Sequence, residues 1–289
     1  MDRLIFHNDR ILSLTEAHLS PGQVGLLMGW GVFTTLRVYK GLPFALERHW
    51  RRLVRDSGHL AMNLDSYGLA RLRQAVVELV RANQRPEATA RVSFIKNSGG
   101  LWAQAENRPP VDLLIFTREL TTWPAAHRLL LQPGGLFSGG EFAGTKVLSW
   151  VRNAATLEKV HRQGYDDALL VNEKGQLAEC TSANVFVVRD GVVLTPPLAS
   201  GCLPGISREV LLEIAPASGI KICEQELTVD ELSSAEEVFI SSTTREVAAV
   251  GSIDPNWKFP TPGKVTSALA QVFQSYVKAY LNKASAWSA

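Results

Sequence analysis

The sequence predicts an α+β chain. Many short β-type stretches are mixed with a few helical ones, without the regular alternation of a parallel βαβ sheet. Hydrophobic residues make up 46% of the 289, enough for a sizeable core and, at that length, for two domains. The segment ELTTWPAAH breaks both periodicities and divides the chain into residues 1–118, a linker at 119–127, and residues 128–289.

The elements follow in order. Arg3 to Leu14 is a hairpin around the turn His7–Arg10, and Gly29 to Tyr39 is a strand after a glycine-rich entry. Leu46 to Met62 is a helix, because Leu46, Trp50, Leu53, Val54, Leu60 and Ala61 fall on one face at helical spacing. A second helix covers Tyr67 to Asn83, followed by strands at Thr89 to Lys96 and Val111 to Thr117. Beyond the linker come a strand at Arg128 to Gln132, a Gly/Ser-rich loop from Pro133 to Gly144, and a helix from Ser149 to Gln163. DDALLVNE and an EKGQ turn lead to NVFVV-RDG-VVLT, a hairpin turning at Asp190 and Gly191. A helix opens at Ile206, strands cover Lys221 to Glu226 and Glu237 to Ser241, and a terminal helix starts at Lys264.

Composition excludes several classes. A net charge of +2 gives no drive toward nucleic acid or an anionic membrane. No apolar run reaches the roughly 20 residues of a membrane span. Cys180, Cys202 and Cys223 form no CxxC and no even framework. Together with a charged start that lacks a signal-peptide core, this reads as a reduced, cytoplasmic protein. No metal-ligand spacing stands out.

Four features carry chemistry: Lys146 after the glycine-rich loop, Glu179 before a strand, LPGIS before a helix, and SSTT after a strand. A lone carboxylate beside a buried strand needs a cation or several donors, and no Lys or Arg stands between Lys174 and Arg189. The helix start at Ile206 and Ser207 offers free N–H groups and the positive end of a dipole. Ser242, Thr243 and Thr244 add hydroxyls. Pyridoxal phosphate matches this set: its aldehyde needs a lysine, its ring nitrogen an acid, its phosphate a cluster of donors. Taken singly, each feature has a plainer meaning: a solvated lysine, a strand-end carboxylate, an ordinary helix start, a polar loop.

Taken together, ECTSANVF from Glu179, Thr195 in VVLTPP, and GCLPGISR resemble the signature of class IV aminotransferases, the fold type IV pyridoxal-phosphate enzymes. The family includes branched-chain and D-amino-acid aminotransferases and aminodeoxychorismate lyase. The resemblance implies a two-domain, D-amino-acid aminotransferase-like fold, with a small N-terminal α/β sandwich and a larger C-terminal pseudo-barrel. It implies Lys146 as the Schiff-base lysine and general base, and Glu179 as the partner of the pyridine nitrogen. Ile206 and Ser207 would bind phosphate through backbone N–H groups, with Thr243 and its neighbours Ser242 and Thr244. Arg52, in the H-x-x-R-L run, would be the phosphate arginine, and Leu203 would pack on the ring. Arg48, Arg51, Arg52 and Arg55 otherwise read as one solvated helix face, and only the resemblance singles out Arg52.

The resemblance also implies amino-acid and 2-oxo-acid substrates and a homodimer whose partner completes the pocket. Phe33, Thr35 and Arg37 share one face of a strand, and Val32, Thr34 and Leu36 the other. The first set would line the substrate pocket, with Arg91 as a pocket arginine. Core packing for Phe33, a surface ion pair for Arg37 and a strand-edge position for Arg91 stay open as alternatives. The Thr34–Thr35 pair and the SGG of KNSGGLW are more lyase-like, whereas TPPL and LPGISR are closer to the branched-chain group. Val151 stands where branched-chain enzymes carry a tyrosine, and NSGGLWAQ stands where D-amino-acid enzymes carry Arg and His. The leading expectation is an aminotransferase for small or branched amino acids. The alternative is the lyase that releases pyruvate and 4-aminobenzoate.

Overall fold

The computed structural model describes residues 3–19, 22–97 and 109–285. The KNSGGLW motif beyond Asn97, with Trp102, lies outside the described residues. The chain separates into two compact units. The first comprises residues 1–121, 145–150 and 280–289, and the second residues 122–144 and 151–279.

In the first unit the order is β1 (Leu4–His7), β2 (Arg10–Ser13), α1 (Val24–Met28), β3 (Gly31–Tyr39), β4 (Leu42–Pro43), α2 (Leu46–His59), α3 (Leu69–Ala82), β5 (Ala88–Lys96) and β6 (Val111–Arg118). The six strands form one antiparallel sheet in the order β2-β1-β6-β5-β3-β4. Asn8 and Asp9 both adopt positive φ, the geometry of a tight turn whose twist matches the strands it joins. Val32, Leu36 and Val38 of β3, Val92 and Phe94 of β5, and Leu113 and Ile115 of β6 pack in one core with Leu46 and Leu53 of α2 and Leu72, Val76 and Leu79 of α3. Each such side chain contributes roughly 1.5–3 kcal/mol on burial. A slip of one residue would carry this whole set to the opposite face, so the register is firmly fixed.

In the second unit the elements are β7 (His127–Gln132), α4 (Val151–Arg162), β8 (Asp167–Val171), β9 (Leu177–Cys180), β10 (Asn184–Arg189), β11 (Val192–Thr195), α5 (Ile206–Ala217), β12 (Ile222–Glu224), β13 (Glu237–Ser242), β14 (Glu246–Ile253), β15 (Trp257–Lys258) and α6 (Lys264–Ser285), whose end from Tyr280 groups with the first unit. Its sheet runs β12-β11-β10-β13-β14-β7-β8-β9, with β15 on β14. Strand β9 ends one side of that order, yet only residues 181–183 join it to β10 near the other side. The sheet must therefore curl, and the Cys180 N–H donates to the Ala183 carbonyl across the join. The apolar filling is Leu129, Leu169, Val185, Val187, Val238, Ile240 and Val250. On the other side of the same strands Phe186 and Phe239 stack at 4.6 Å.

The structure corrects several expectations. Glu179 precedes the strand β10 as expected, but it also lies within a strand of its own that the sequence did not announce, β9, paired with Leu170 of β8. Val54 is exposed rather than on the packed face of α2. Arg52, with a solvated helix face as its default, is buried at 8% exposure and donates to Thr34 Oγ1 at 2.8 Å. The buried stripe of α2 is partly polar: His49, Arg52 and Asp56 lie beside Leu46 and Leu53. Helix α1 and strands β4, β14 and β15 had no sequence signal strong enough to announce them. Strand β14 follows a turn of three residues, and Glu246 holds the left-handed conformation (φ 58°) that a glycine would have advertised.

Candidate active site

Lys146 lies in the first unit on a short extended segment laid along β3. The Phe33 N–H donates to the Lys146 carbonyl at 3.0 Å, and the Leu148 N–H to the Gly31 carbonyl at 2.8 Å. From the other side, Asp56 Oδ2 accepts the Lys146 N–H at 3.1 Å. Asp56 is buried and also accepts from the Arg55 guanidinium. The approach of this segment depends on glycine. A Cβ on Gly31 would collide with the Phe94 carbonyl and the Leu148 side chain, and one on Gly29 (φ 62°) would press on Ser149.

The Lys146 ammonium sits 4.5 Å from the Phe33 ring centre and 4.4 Å from that of Trp150, and the two rings meet edge to face at 5.5 Å. Arg91, across from Thr35 in β5, lays its guanidinium 3.7 Å over the same Phe33 ring. Burial pushes its pKa down. It makes no ion pair or hydrogen bond with another side chain among the described residues. Phe33, Thr35, Arg37 and Arg91 therefore share the sheet face opposite the helices. Arg37 on that face is engaged, 3.6 Å from Glu87 and 4.7 Å over the Tyr39 ring.

Behind Lys146, on the helix side, Thr34 links two functional groups. Arg52 can only donate, so Thr34 Oγ1 accepts from it. The hydroxyl proton then goes to His49 Nδ1 at 2.6 Å, which leaves the imidazole proton on Nε2. Burial first, then the charges of Arg52 and Lys146, hold His49 well below its ordinary 6.5, so it is neutral.

The second unit gathers the other expected residues at one end of its sheet. Glu179 is buried, and its Oε2 accepts the Leu203 N–H at 3.0 Å. Asn184 donates to the Leu203 carbonyl at 2.8 Å and pairs with Ser241 across the sheet. One amide thereby joins the loop before α5 to the end of β13, where Ser242, Thr243 and Thr244 turn. Gly205 has no room for a side chain, since a Cβ there would strike the Asn184 amide. No side chain caps the α5 N-terminus, where Ile206 and Ser207 begin the helix. Its first N–H groups have no intrahelical acceptor. The Ser241 hydroxyl is buried and without a hydrogen-bond partner among the described residues.

Sequence reasoning assigned no site role to His49, Asp56 or Asn184, and read Trp150, with Trp30, Trp50, Trp102 and Trp123, as a candidate for an interface or the core. His49 carried a usable signal, standing three residues before Arg52 in the H-x-x-R-L run. Asn184 stood inside the ECTSANVF run, whereas Asp56 carried no signal, because it acts on a backbone group remote in sequence.

In the first unit a lysine lies against two aromatic rings, and in the second a curled sheet carries an uncapped helix start near a buried glutamate. The family comparison agrees: residues 31–253 match the model for amino-transferase class IV, and the chain belongs to that family of pyridoxal-phosphate enzymes. It is 28% identical over 265 residues to a putative branched-chain-amino-acid aminotransferase of Methanocaldococcus jannaschii, covering 86% of this chain and 88% of the relative. It is 30% identical over 262 residues to a D-alanine aminotransferase of Bacillus licheniformis, with the same coverage of 86% and 88%. The branched-chain aminotransferase of the archaeon Thermoproteus uzoniensis, solved with norvaline, superposes with a TM-score of 0.87 at 25% identity, covering 98% of this chain and 97% of the other. The fold is thus that of the fold type IV aminotransferases. Among the described residues no helix is long and apolar enough to cross a membrane.

Proposed function

We propose that this chain transfers an amino group from a small or branched amino acid to a 2-oxo acid, using pyridoxal phosphate held at Lys146. The observation that carries this is the arrangement around Phe33: the Lys146 ammonium and the Arg91 guanidinium both face its ring, at 4.5 and 3.7 Å. A half-buried guanidinium without an anionic partner among the described residues suits a carboxylate that arrives from outside the protein. Amino acids and 2-oxo acids both bring one. The walls beside Lys146, Phe33 and Trp150, are apolar and suit a hydrocarbon side chain.

The residues present fit the cofactor. Lys146 would hold its aldehyde carbon, and Glu179 its ring nitrogen. Arg52, the N–H groups of Ile206 and Ser207, and Thr243 with Ser242 and Thr244 would hold its phosphate. Leu203 would lie against the ring. When bound, the group supplies an electron sink for the charge that develops at the substrate α-carbon. Lys146, with its amine freed, would serve as the base that takes the α-proton and as the acid that gives it back. The bonds to Phe33 and Asp56 fix the Lys146 backbone, and the Phe33 and Trp150 rings flank its amine. Arg91 would orient the carboxylate, and Thr35 and Arg37 lie on the same face.

A second reading, the lyase acting on aminodeoxychorismate, draws on the Thr34–Thr35 pair, while Val151 counts against branched-chain activity. This residue is 77% exposed and brings no hydroxyl where branched-chain enzymes carry tyrosine. We further propose a cytoplasmic homodimer. Leu26, Leu27 and Met28 of α1, each more than half exposed, are apolar surface that a second copy would cover. The test mixes the cofactor-loaded protein with L- and D-amino acids and no acceptor, following the absorbance of the bound group. Conversion to the pyridoxamine form would establish transamination and the hand of the donor. A yellow spectrum that no donor changes would sink the leading reading in favour of the lyase. Borohydride reduction should fix a pyridoxyl group on Lys146, and its absence would sink the cofactor assignment.

A further inference from the structure

Arg245 follows directly on the Ser242–Thr244 corner, where a guanidinium would ordinarily be taken for a phosphate ligand. The geometry points elsewhere. Its side chain is 3% exposed, against a wholly buried Asp167. Nη2 donates to Asp167 Oδ2 at 3.2 Å, Nη1 to Ser182 Oγ at 3.0 Å and to the Ser182 carbonyl at 3.4 Å, and Nε to His127 Nε2 at 3.3 Å. The guanidinium carbon lies 3.9 Å from the centre of the Trp123 ring, and Trp123 donates to the Thr244 carbonyl at 3.2 Å. All three kinds of guanidinium nitrogen thus have protein acceptors.

Asp167 is fully engaged from its other side. Oδ1 accepts the Thr181 N–H at 3.0 Å, the Thr181 hydroxyl at 2.6 Å and the Ala168 N–H at 2.8 Å, while Oδ2 accepts the Ser182 hydroxyl at 2.8 Å. Thr181 and Ser182 form the turn that leaves β9 immediately after Glu179 and Cys180. One buried ion pair therefore ties two loops together: the corner proposed to receive phosphate, and the turn after the glutamate proposed to receive the ring nitrogen. Those ends of one cofactor are a fixed distance apart, so the two loops must keep a fixed separation.

We propose that Arg245 and Asp167 are positioning residues, a strut that sets the Ser242–Thr244 corner against the Cys180–Ser182 turn, and that Arg245 is not itself an anion ligand. This rests on the cofactor reading above. Lysine keeps the charge of Arg245 but cannot reach Asp167, Ser182 and His127 at once. Ser182→Ala keeps the ion pair and removes one of its ties to the turn, the hydroxyl that bonds both Arg245 and Asp167, while the Thr181 bonds and the Ser182 carbonyl remain.

The test titrates the full chain with pyridoxal phosphate and, separately, with pyridoxal, which lacks the phosphate. Circular dichroism reports folding of each variant. In R245K the dissociation constant for pyridoxal phosphate should rise about tenfold, with that for pyridoxal unchanged, as expected when one charge-assisted set of bonds loses its alignment. S182A should show the same selectivity at about threefold, and decides the matter if R245K does not fold. Equal weakening of both ligands, or none, would overturn the strut. Failure of the unmutated chain to bind pyridoxal phosphate is a different result: it removes the cofactor reading, and the proposal with it.

Discussion

At residue 34 one hydroxyl fixes the state of two neighbours. Thr34 must accept from Arg52, so it donates to His49, which is therefore a neutral acceptor. This gives a pH prediction with a definite sign. Folded His49 is held well below 6.5, chiefly by burial, whereas the unfolded chain titrates at the ordinary value. Below pH 6.5 the unfolded state binds a proton that the folded state refuses. The stability is complete above about pH 6.5 and falls as pH drops, by up to about 1.4 kcal/mol per pH unit. Urea melts between pH 7 and 5 should show this slope, and His49→Gln should flatten it. Arg91→Met keeps the packing on Phe33 and removes the charge. It should raise KM for amino donors by about ten- to a hundredfold with a smaller change in kcat, since a hydrogen bond to a charged group contributes about 1.5–3 kcal/mol. An unchanged KM would mean the carboxylate binds elsewhere. Lys146, Glu179 and Arg52 were legible as sequence positions because each stands in a motif. The burial of Arg52 was not, because a helical wheel ranks residues by apolarity, and here a hydroxyl on another strand satisfies the charge.

Among the elements, α6 shows how a helix start is fixed from a distance. Glu237 of β13 accepts the Val265 N–H at 2.9 Å, the Thr266 N–H at 2.8 Å and the Thr266 hydroxyl at 2.7 Å. A side chain on Gly263 would collide with that carboxylate. Glu237→Ala leaves these donors without their acceptor and should destabilise the protein by about 1–3 kcal/mol, read as a lower melting temperature. Gly31→Ala tests the other close approach. Its Cβ has no place between Phe94 and Leu148, so the Lys146 segment must shift. It should lose about 1–3 kcal/mol of stability and most of the borohydride labelling of Lys146. Strands with clean alternation, such as β3, and the turns at Asn8–Asp9 and Asp190–Gly191 were readable from local patterns. Strands β9 and β14 were not. The first is four residues of mixed character, and the second opens on a left-handed glutamate, Glu246, straight after a three-residue turn.

For the whole molecule, the proposed cofactor binding predicts a mass-action effect. A group that binds only the folded chain stabilises it by about 2.7 kcal/mol at a hundred times its dissociation constant. Added pyridoxal phosphate should therefore raise the melting temperature, and Glu179→Gln and Lys146→Ala should each reduce the shift; a shift equal to that from inorganic phosphate would count against the cofactor. The sequence by itself determined the α+β class, most elements and the family, and it marked Lys146, Glu179, the Ile206–Ser207 helix start and the Ser242–Thr244 corner as candidates. Those follow from period, turn chemistry and ordered motifs, which are local. Only the tertiary structure decided that Asp56 and Phe33 hold the Lys146 backbone, that Arg91 shares its aromatic ring, and that Arg245 is spent on Asp167. Those contacts join residues as far apart as Asp56 and Lys146, or Asp167 and Arg245. Hydrogen-bond donors and acceptors find each other through sheet register and helix packing, and neither is written in the spacing of a single stretch of chain.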